Sequence, residues 1–169
     1  KSVGLNLAGV PTDASGAPAL SAETVKPEDV THIELGLKTQ PLPGVIANFA
    51  AYETTIQDYQ AQVQNAAVGV LRGYLANADE VRVRGFEFDG RAAVNENLNL
   101  YAALAYTDAV YTSFADAPAP IELTGGPAAV DISGSRLPGV SKWAGSVGGE
   151  YTQPGELLAR SGDYFVGVD

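Results

Sequence analysis

Leu98-Asn99-Leu100-Tyr101-Ala102-Ala103-Leu104-Ala105-Tyr106-Thr107-Asp108 alternates in character residue by residue. Leu98, Leu100, Ala102, Leu104 and Tyr106 share one parity, and Asn99, Tyr101, Ala103, Ala105 and Thr107 share the other. Strand side chains point to opposite faces with period two, so this is a strand with one apolar face and one small, polar face. Upstream, across a polar turn at Asn95-Glu96-Asn97, lies a second extended arm, Asn77-Ala78-Asp79-Glu80-Val81-Arg82-Val83-Arg84-Gly85-Phe86-Glu87-Phe88-Asp89. The two arms make a hairpin of long strands. A soluble sandwich gives such a pattern with the apolar face turned inward, and a transmembrane barrel gives it with that face turned to lipid.

The chain of 169 residues is long enough for one domain with a sizeable core. Its 19 glycines, 10 prolines and 8 tyrosines, with abundant Val, Ala and Thr, favour an all-β reading. A net charge of −10 without a Lys/Arg cluster argues against a nucleic-acid partner. No run of about 18 apolar residues exists to make a transmembrane helix, whereas a barrel strand needs only about 9–11. Cysteine is absent, which excludes disulfides and thiolate metal sites. Methionine is absent too, even at position 1, and the first residues read as a strand, Lys1 to Leu7. The expectation is a piece of a longer polypeptide, with a mature secreted domain as the alternative.

Working outward, residues 8–29 are punctuated by Pro11, Gly16, Pro18 and Pro27 and read as a long loop. Thr31-His32-Ile33-Glu34-Leu35-Gly36-Leu37-Lys38 alternates again, with Ile33, Leu35 and Leu37 on its apolar face. A turn at residues 40–44 precedes a long strand over residues 45–60, and residues 61–74 hold a loop of intermediate length. Residues 112–141 form a second long loop, then a strand runs over residues 142–151. The turn Gln153-Pro154-Gly155 leads into a last strand from Leu157. Short and longer connections alternate, as they do at the two ends of an outer-membrane barrel. Trp143 and Tyr151 share parity eight residues apart, roughly 26 Å along a strand. At a tilt of about 40° that spans roughly 20 Å, close to the apolar band between the aromatic girdles of such a barrel.

Several blocks in order resemble the barrel of TonB-dependent outer-membrane receptors. They are Glu34-Leu35-Gly36-Leu37-Lys38, Asp58-Tyr59-Gln60, Leu75-Ala76-Asn77-Ala78, Val81-Arg82-Val83-Arg84-Gly85-Phe86-Glu87, Ala105-Tyr106-Thr107-Asp108-Ala109, and Asp131-Ile132-Ser133-Gly134 followed by Leu137-Pro138. Together they cover most of residues 30–151. The resemblance implies antiparallel up-and-down strands forming about seven strands of a large transmembrane β-barrel across residues 1–169. It also implies import of ferric siderophores or similar scarce, large solutes, with the TonB complex and outer-membrane lipid as partners. Barrels of that class have about 22 strands and a plugged lumen. The plug domain, the TonB box and the carboxy-terminal barrel strands are expected to lie outside this sequence. The alternatives are a soluble secreted all-β binding module and a standalone small outer-membrane barrel.

Chemistry-bearing residues are sparse. His32 is the single histidine and has no clustered carboxylates near it in sequence, so a lumen-facing polar residue is the simpler reading than a metal ligand. Gly125-Gly126 and Gly148-Gly149 lack the setting of a phosphate loop, and no nucleophile elbow or triad occurs. No catalytic residue, metal or cofactor is expected. Arg82, Arg84 and Glu87 suggest an ion-pair network in the lumen, joined by Glu34 and Lys38. Strict alternation, however, sets both arginines on the face of Phe86 and Phe88. A bulge at Gly85 is the preferred resolution, and a position beyond the apolar band is the other. Among the outward loops, Asp13, Tyr111, Phe114, Asp116, Glu122 and Asp131 are the candidate ligand contacts. Leu35, Leu37, Leu98, Leu100, Leu104 and Val147 are expected to face lipid, and Glu34, Asn99, Ser146 and Glu150 the lumen.

Overall fold

The alternating arms become strands longer than their periodicity alone requires. A computed structural model of the chain describes residues 4–5, 24–67, 70–119, 127, 129–157 and 160–169. In chain order the strands are β1 (Gly4–Leu5), β2 (Thr24–Val25), β3 (Asp29–Leu42), β4 (Val45–Ala67), β5 (Val70–Ala93), β6 (Leu98–Ser113), β7 (Ala117–Pro118), β8 (Ala129–Val130), β9 (Trp143–Leu157) and β10 (Arg160–Val168). The six long ones form one antiparallel sheet in the order β10-β9-β6-β5-β4-β3, so each lies beside its neighbours in sequence. This is the all-β, up-and-down architecture expected from the alternation. β1 pairs with β2, and β7 with β8, as separate two-residue ladders. At 23 and 24 residues, β4 and β5 run for roughly 75–80 Å, a little over twice the length of the about 9–11 residues a barrel strand needs to cross a bilayer.

Local chemistry sets the turns. Gly44, at φ 78°, occupies the left-handed region that the two-residue turn between β3 and β4 demands. Between β5 and β6, Asn95 Oδ1 accepts the N–H groups of Asn97 and Leu98, each at 2.9 Å. Asn97 then donates through Nδ2 to the Thr152 carbonyl at 2.6 Å and so fastens this turn to β9.

Three sequence readings are corrected. Residues 61–74 are mostly strand, because β4 continues to Ala67 and β5 starts at Val70; residues 68–69 lie outside the described residues. Gln153-Pro154-Gly155 is not a turn: β9 runs through it to Leu157, with Pro154 opposite Asp163 of β10. Proline is tolerated there because the pairing of β9 with β6 ends at Tyr151, so no β6 acceptor faces the missing N–H. In the segment read as a first strand, the described residues Gly4–Leu5 pair with Thr24–Val25 in a small ladder instead of joining the main sheet, which holds six strands among the described residues.

The chain divides into two compact units. Unit 1 comprises Lys1–His32, Thr54–Val83 and Ala109–Val140, and unit 2 comprises Ile33–Glu53, Arg84–Asp108 and Ser141–Asp169. Unit 1 has a core of Ala61, Ala78, Val81, Tyr111, Phe114 and Ala117, with Tyr59, Ile132 and Leu137 packed against it. The segment read as a loop over residues 112–141 is folded where it is described. Tyr111 N–H donates to Ser135 O, Leu137 N–H to Ala109 O and Ile132 N–H to Phe114 O. Among the described residues unit 2 has no such core. No second sheet covers its apolar face among the described residues, so the sandwich alternative finds no support.

Candidate functional site

The register of β6 on β9 fixes the two faces of unit 2. Leu98 lies opposite Tyr151, Leu100 opposite Gly149, Ala102 opposite Val147, Leu104 opposite Gly145 and Tyr106 opposite Trp143. This is the apolar parity, and it stays uncovered: Leu35 is 78 % and Val147 73 % exposed. Tyr106 and Trp143 rings lie 4.8 Å apart, and Phe86 closes the cluster at 5.5 Å from Tyr106 and 5.7 Å from Trp143. The sequence pointed to Trp143 but missed its partners, which cross-strand register brings together from β5, β6 and β9. Amphipathic rings gathered at the end of an apolar face suit a bilayer interface.

The opposite parity is polar. Asn99 lies opposite Glu150 and Ala103 opposite Ser146. With Asp89, Arg91 and Tyr101 these residues line a recess of about 530 Å³. Asn48 donates to Asp89 at 2.9 Å. Two tyrosines lie over glycines on this face. Tyr52 reaches across Gly85 to place its hydroxyl 3.2 Å from that of Thr107, and Tyr101 covers Gly148. A Cβ at Gly85 would collide with the Tyr106 carbonyl and approach the Tyr52 hydroxyl to 2.8 Å. Gly85 is thus needed for close approach, and the bulge preferred from sequence is not what the structure shows. Arg84 keeps the parity of Phe86 and bonds Asp108, itself in the parity of Tyr106, at 3.3 Å. The lumen network expected of the arginines is replaced by this pair at the edge of the apolar face, which was the second alternative.

In unit 1 a side-chain clamp built from the family-like blocks was not foreseen. The Asn77 amide acts as a peptide mimic, accepting Lys26 N–H at 2.8 Å and donating to Lys26 O at 3.1 Å and Asp58 O at 2.6 Å. Gln60 donates to Lys26 O at 3.1 Å, and Lys26 Nζ meets Asp58 Oδ1 at 3.1 Å. Asp58 sits at φ 52°, a conformation that Asp and Asn tolerate best among side-chain-bearing residues. The signal available in sequence was the pair Asp58-Tyr59-Gln60 and Asn77, which has no place in an apolar/polar alternation.

The candidate ligand contacts separate into three groups. Tyr111 and Phe114 are buried in the unit 1 core, their rings 5.4 Å apart. Asp116 is exposed at a turn. Asp131 is exposed and organises its own loop: it accepts Ser133 N–H at 2.8 Å, while Ser133 Oγ accepts Phe114 N–H at 2.9 Å. Hydrogen bonds from the Ser133 hydroxyl and backbone hold the Asp131 carboxyl below the usual aspartate range. Asp13 and Glu122 lie outside the described residues. His32 Nδ1 is 2.7 Å from the Thr54 hydroxyl. Among the described residues no three His, Asp or Glu side chains are grouped as a metal site requires.

A family model described as TonB dependent receptor-like, beta-barrel matches residues 4–169. No curated protein matches the chain.

Proposed function

The chain belongs to the TonB-dependent receptor β-barrel family, a family of outer-membrane receptors of Gram-negative bacteria, and we propose that it forms part of a receptor wall that imports ferric siderophores or a similarly scarce, large solute. The observation that carries this reading is the exposed apolar parity of unit 2, backed by a polar parity on the other face. Hydrocarbon is the solvent in which such a face is stable uncovered. Six strands leave two sheet edges, which a membrane does not tolerate unpaired, so the wall is completed by further strands. With about 22 strands in closed barrels of this class, those strands and the plug that meets the TonB complex are taken to lie outside these residues. Solute would be captured by the acidic residues Asp13, Asp116, Glu122 and Asp131, with Tyr111 and Phe114 supporting the exposed Asp116 and Asp131 from the core. The strands themselves act structurally.

The test is the intact mass of the gene product in outer-membrane extracts, with growth of a deletion strain on iron supplied as a ferric siderophore. The expected result is a membrane polypeptide several times heavier than 17.5 kDa and slow growth only on that iron source. Recovery solely from the soluble fraction overturns the receptor reading. Normal growth of the deletion strain overturns the siderophore and leaves another solute.

A further inference from the structure

We propose that Arg82 and Arg136, on unit 1, form a binding site for the phosphate of a membrane-lipid headgroup. Ser113 Oγ donates to Asp79 Oδ2 at 3.0 Å and Arg84 meets Asp108 at 3.3 Å, and both contacts fit a register of β5 on β6 that sets Arg82 opposite Val110. Val110 in turn forms an antiparallel bridge with Arg136. The two arginines therefore flank Val110 on one face, two strand spacings or about 10 Å apart at their backbones. Long side chains that converge from this distance can share one tetrahedral anion, and guanidinium groups match phosphate oxygens in pairs.

The polar atoms on this face are left wanting. Among the described residues Arg82 Nε, shielded from solvent, has no hydrogen-bond partner, and the same holds for the Thr112 hydroxyl, one same-face step beyond Val110 on β6. Buried polar atoms are seldom orphaned, so two on one face mark a place where an acceptor belongs. Arg136 donates through Nη2 to Val140 O at 3.3 Å, and among the described residues the other N–H groups of its guanidinium have no acceptor. Glu80, opposite Thr112 in the same register, is a carboxylate of this face and pairs with neither arginine. Among the described residues around Val110 the two arginines thus outweigh Glu80, on a chain of charge −10 that as a whole repels free anions. Basic residues on a membrane-embedded wall meet lipid phosphates, and this choice of occupant rests on the receptor reading.

The experiment takes the polypeptide as expressed, extracted from the outer membrane in mild detergent. Native mass spectrometry measures retention of phosphatidylglycerol, of a phosphate-free glycolipid, and of inorganic phosphate. Variants are Arg136→Gln, Arg82→Gln, Arg82→Lys and, as a control elsewhere, Lys38→Gln. Heat-dependent gel mobility reports assembly. Wild type is expected to retain phosphatidylglycerol and not the glycolipid, with at least tenfold weaker retention in Arg136→Gln and no change in Lys38→Gln. Where Arg82→Gln fails to assemble, Arg82→Lys should assemble and bind more weakly than wild type. Undiminished retention in Arg136→Gln overturns the proposal. So does inorganic phosphate displacing the lipid at equal concentration, which would make the occupant a free anion. Absence of the wild type from the outer membrane overturns the receptor reading instead.

Discussion

Units 1 and 2 are cut from the same strands, yet they treat apolar side chains in opposite ways. In unit 1, Ala78 and Val81 are wholly buried and Phe114 is 3 % exposed, whereas in unit 2 Ile33 is 70 % exposed. The change can be followed along single strands. On β6 the apolar parity is Leu98, Leu100, Leu104 and Tyr106, and then passes to Ala109 and Tyr111. On β5 it is Val81 and Val83, and then Phe86 and Phe88. No residue is inserted between them: strand alternation is kept and the surroundings change. A segment in water must bury its apolar face in a core of its own, while a segment in lipid leaves it outside. The switch falls at Arg84 and Asp108, whose ion pair is what a bilayer edge accepts and a hydrocarbon interior does not.

The largest effect should come from the unit 1 core. Phe114→Ala is expected to lower stability by about 3–5 kcal/mol in detergent, the range for emptying a buried aromatic site. Val147→Ala in unit 2 should stay within about 0.5 kcal/mol, since its side chain is already outside. Denaturant titrations of both variants check this, and equal losses would erase the contrast between the units. Next come adjacent residues of unit 2. Leu100→Arg puts a charge on the apolar face and should cost about 2–4 kcal/mol of membrane assembly. Asn99→Arg, opposite Glu150 on the polar face, should cost far less. Equal tolerance in an assembly assay would break the assignment of faces.

The contrast was partly legible before the structure. Alternation in Leu98 to Tyr106 and Ile33 to Leu37 gave the faces of unit 2, because period two is a local property that no partner alters. It misled where the same parity met a new environment. Arg82 and Arg84 looked like a fault that called for a bulge, and residues 112–141, rich in turn residues, read as open loop where Phe114 joins a buried core. What buries Phe114 is the return of Ile132 to Leu137 alongside β6, a contact of residues some twenty apart that no periodicity encodes. Pro154 misled for a related reason, since a proline is forbidden in a strand only where an acceptor faces it, and the acceptor's absence is a matter of register. The blocks resembling the receptor family did mark the clamp residues Asp58, Gln60 and Asn77, although not their purpose.

A smaller effect tests how closely the strands of unit 2 pack. A Cβ at Gly148 would come within 2.5 Å of the Tyr101 hydroxyl and of the Val168 carbonyl oxygen. Because one of these is backbone, the site cannot relax by a rotamer change alone. Gly148→Ala is expected to cost about 1–3 kcal/mol. The double variant Gly148→Ala with Tyr101→Ala should recover part of that loss by freeing the side-chain contact. If it recovers nothing, the backbone oxygen alone limits the approach of β10 to β9.

The smallest effect concerns the loop that closes the unit 1 core. Asp131 has its carboxyl held below the ordinary value of about 3.9 by hydrogen bonds from Ser133. A group with a lowered folded-state pKa adds stability above its unfolded value and loses it as pH falls through the folded one. Asp131→Asn keeps the shape and one acceptor oxygen but removes the charge, so it should melt slightly below wild type at pH 7. The two curves should converge once the pH is well under the ordinary aspartate value. Because Ser133 also accepts the Phe114 N–H, the difference should shrink in a Ser133→Ala background, where only the backbone N–H of residue 133 still bonds Asp131. A gap that persists at low pH would mean that the aspartate acts by shape, and that the loop of unit 1 is fastened by packing of Ile132 and Leu137 rather than by charge.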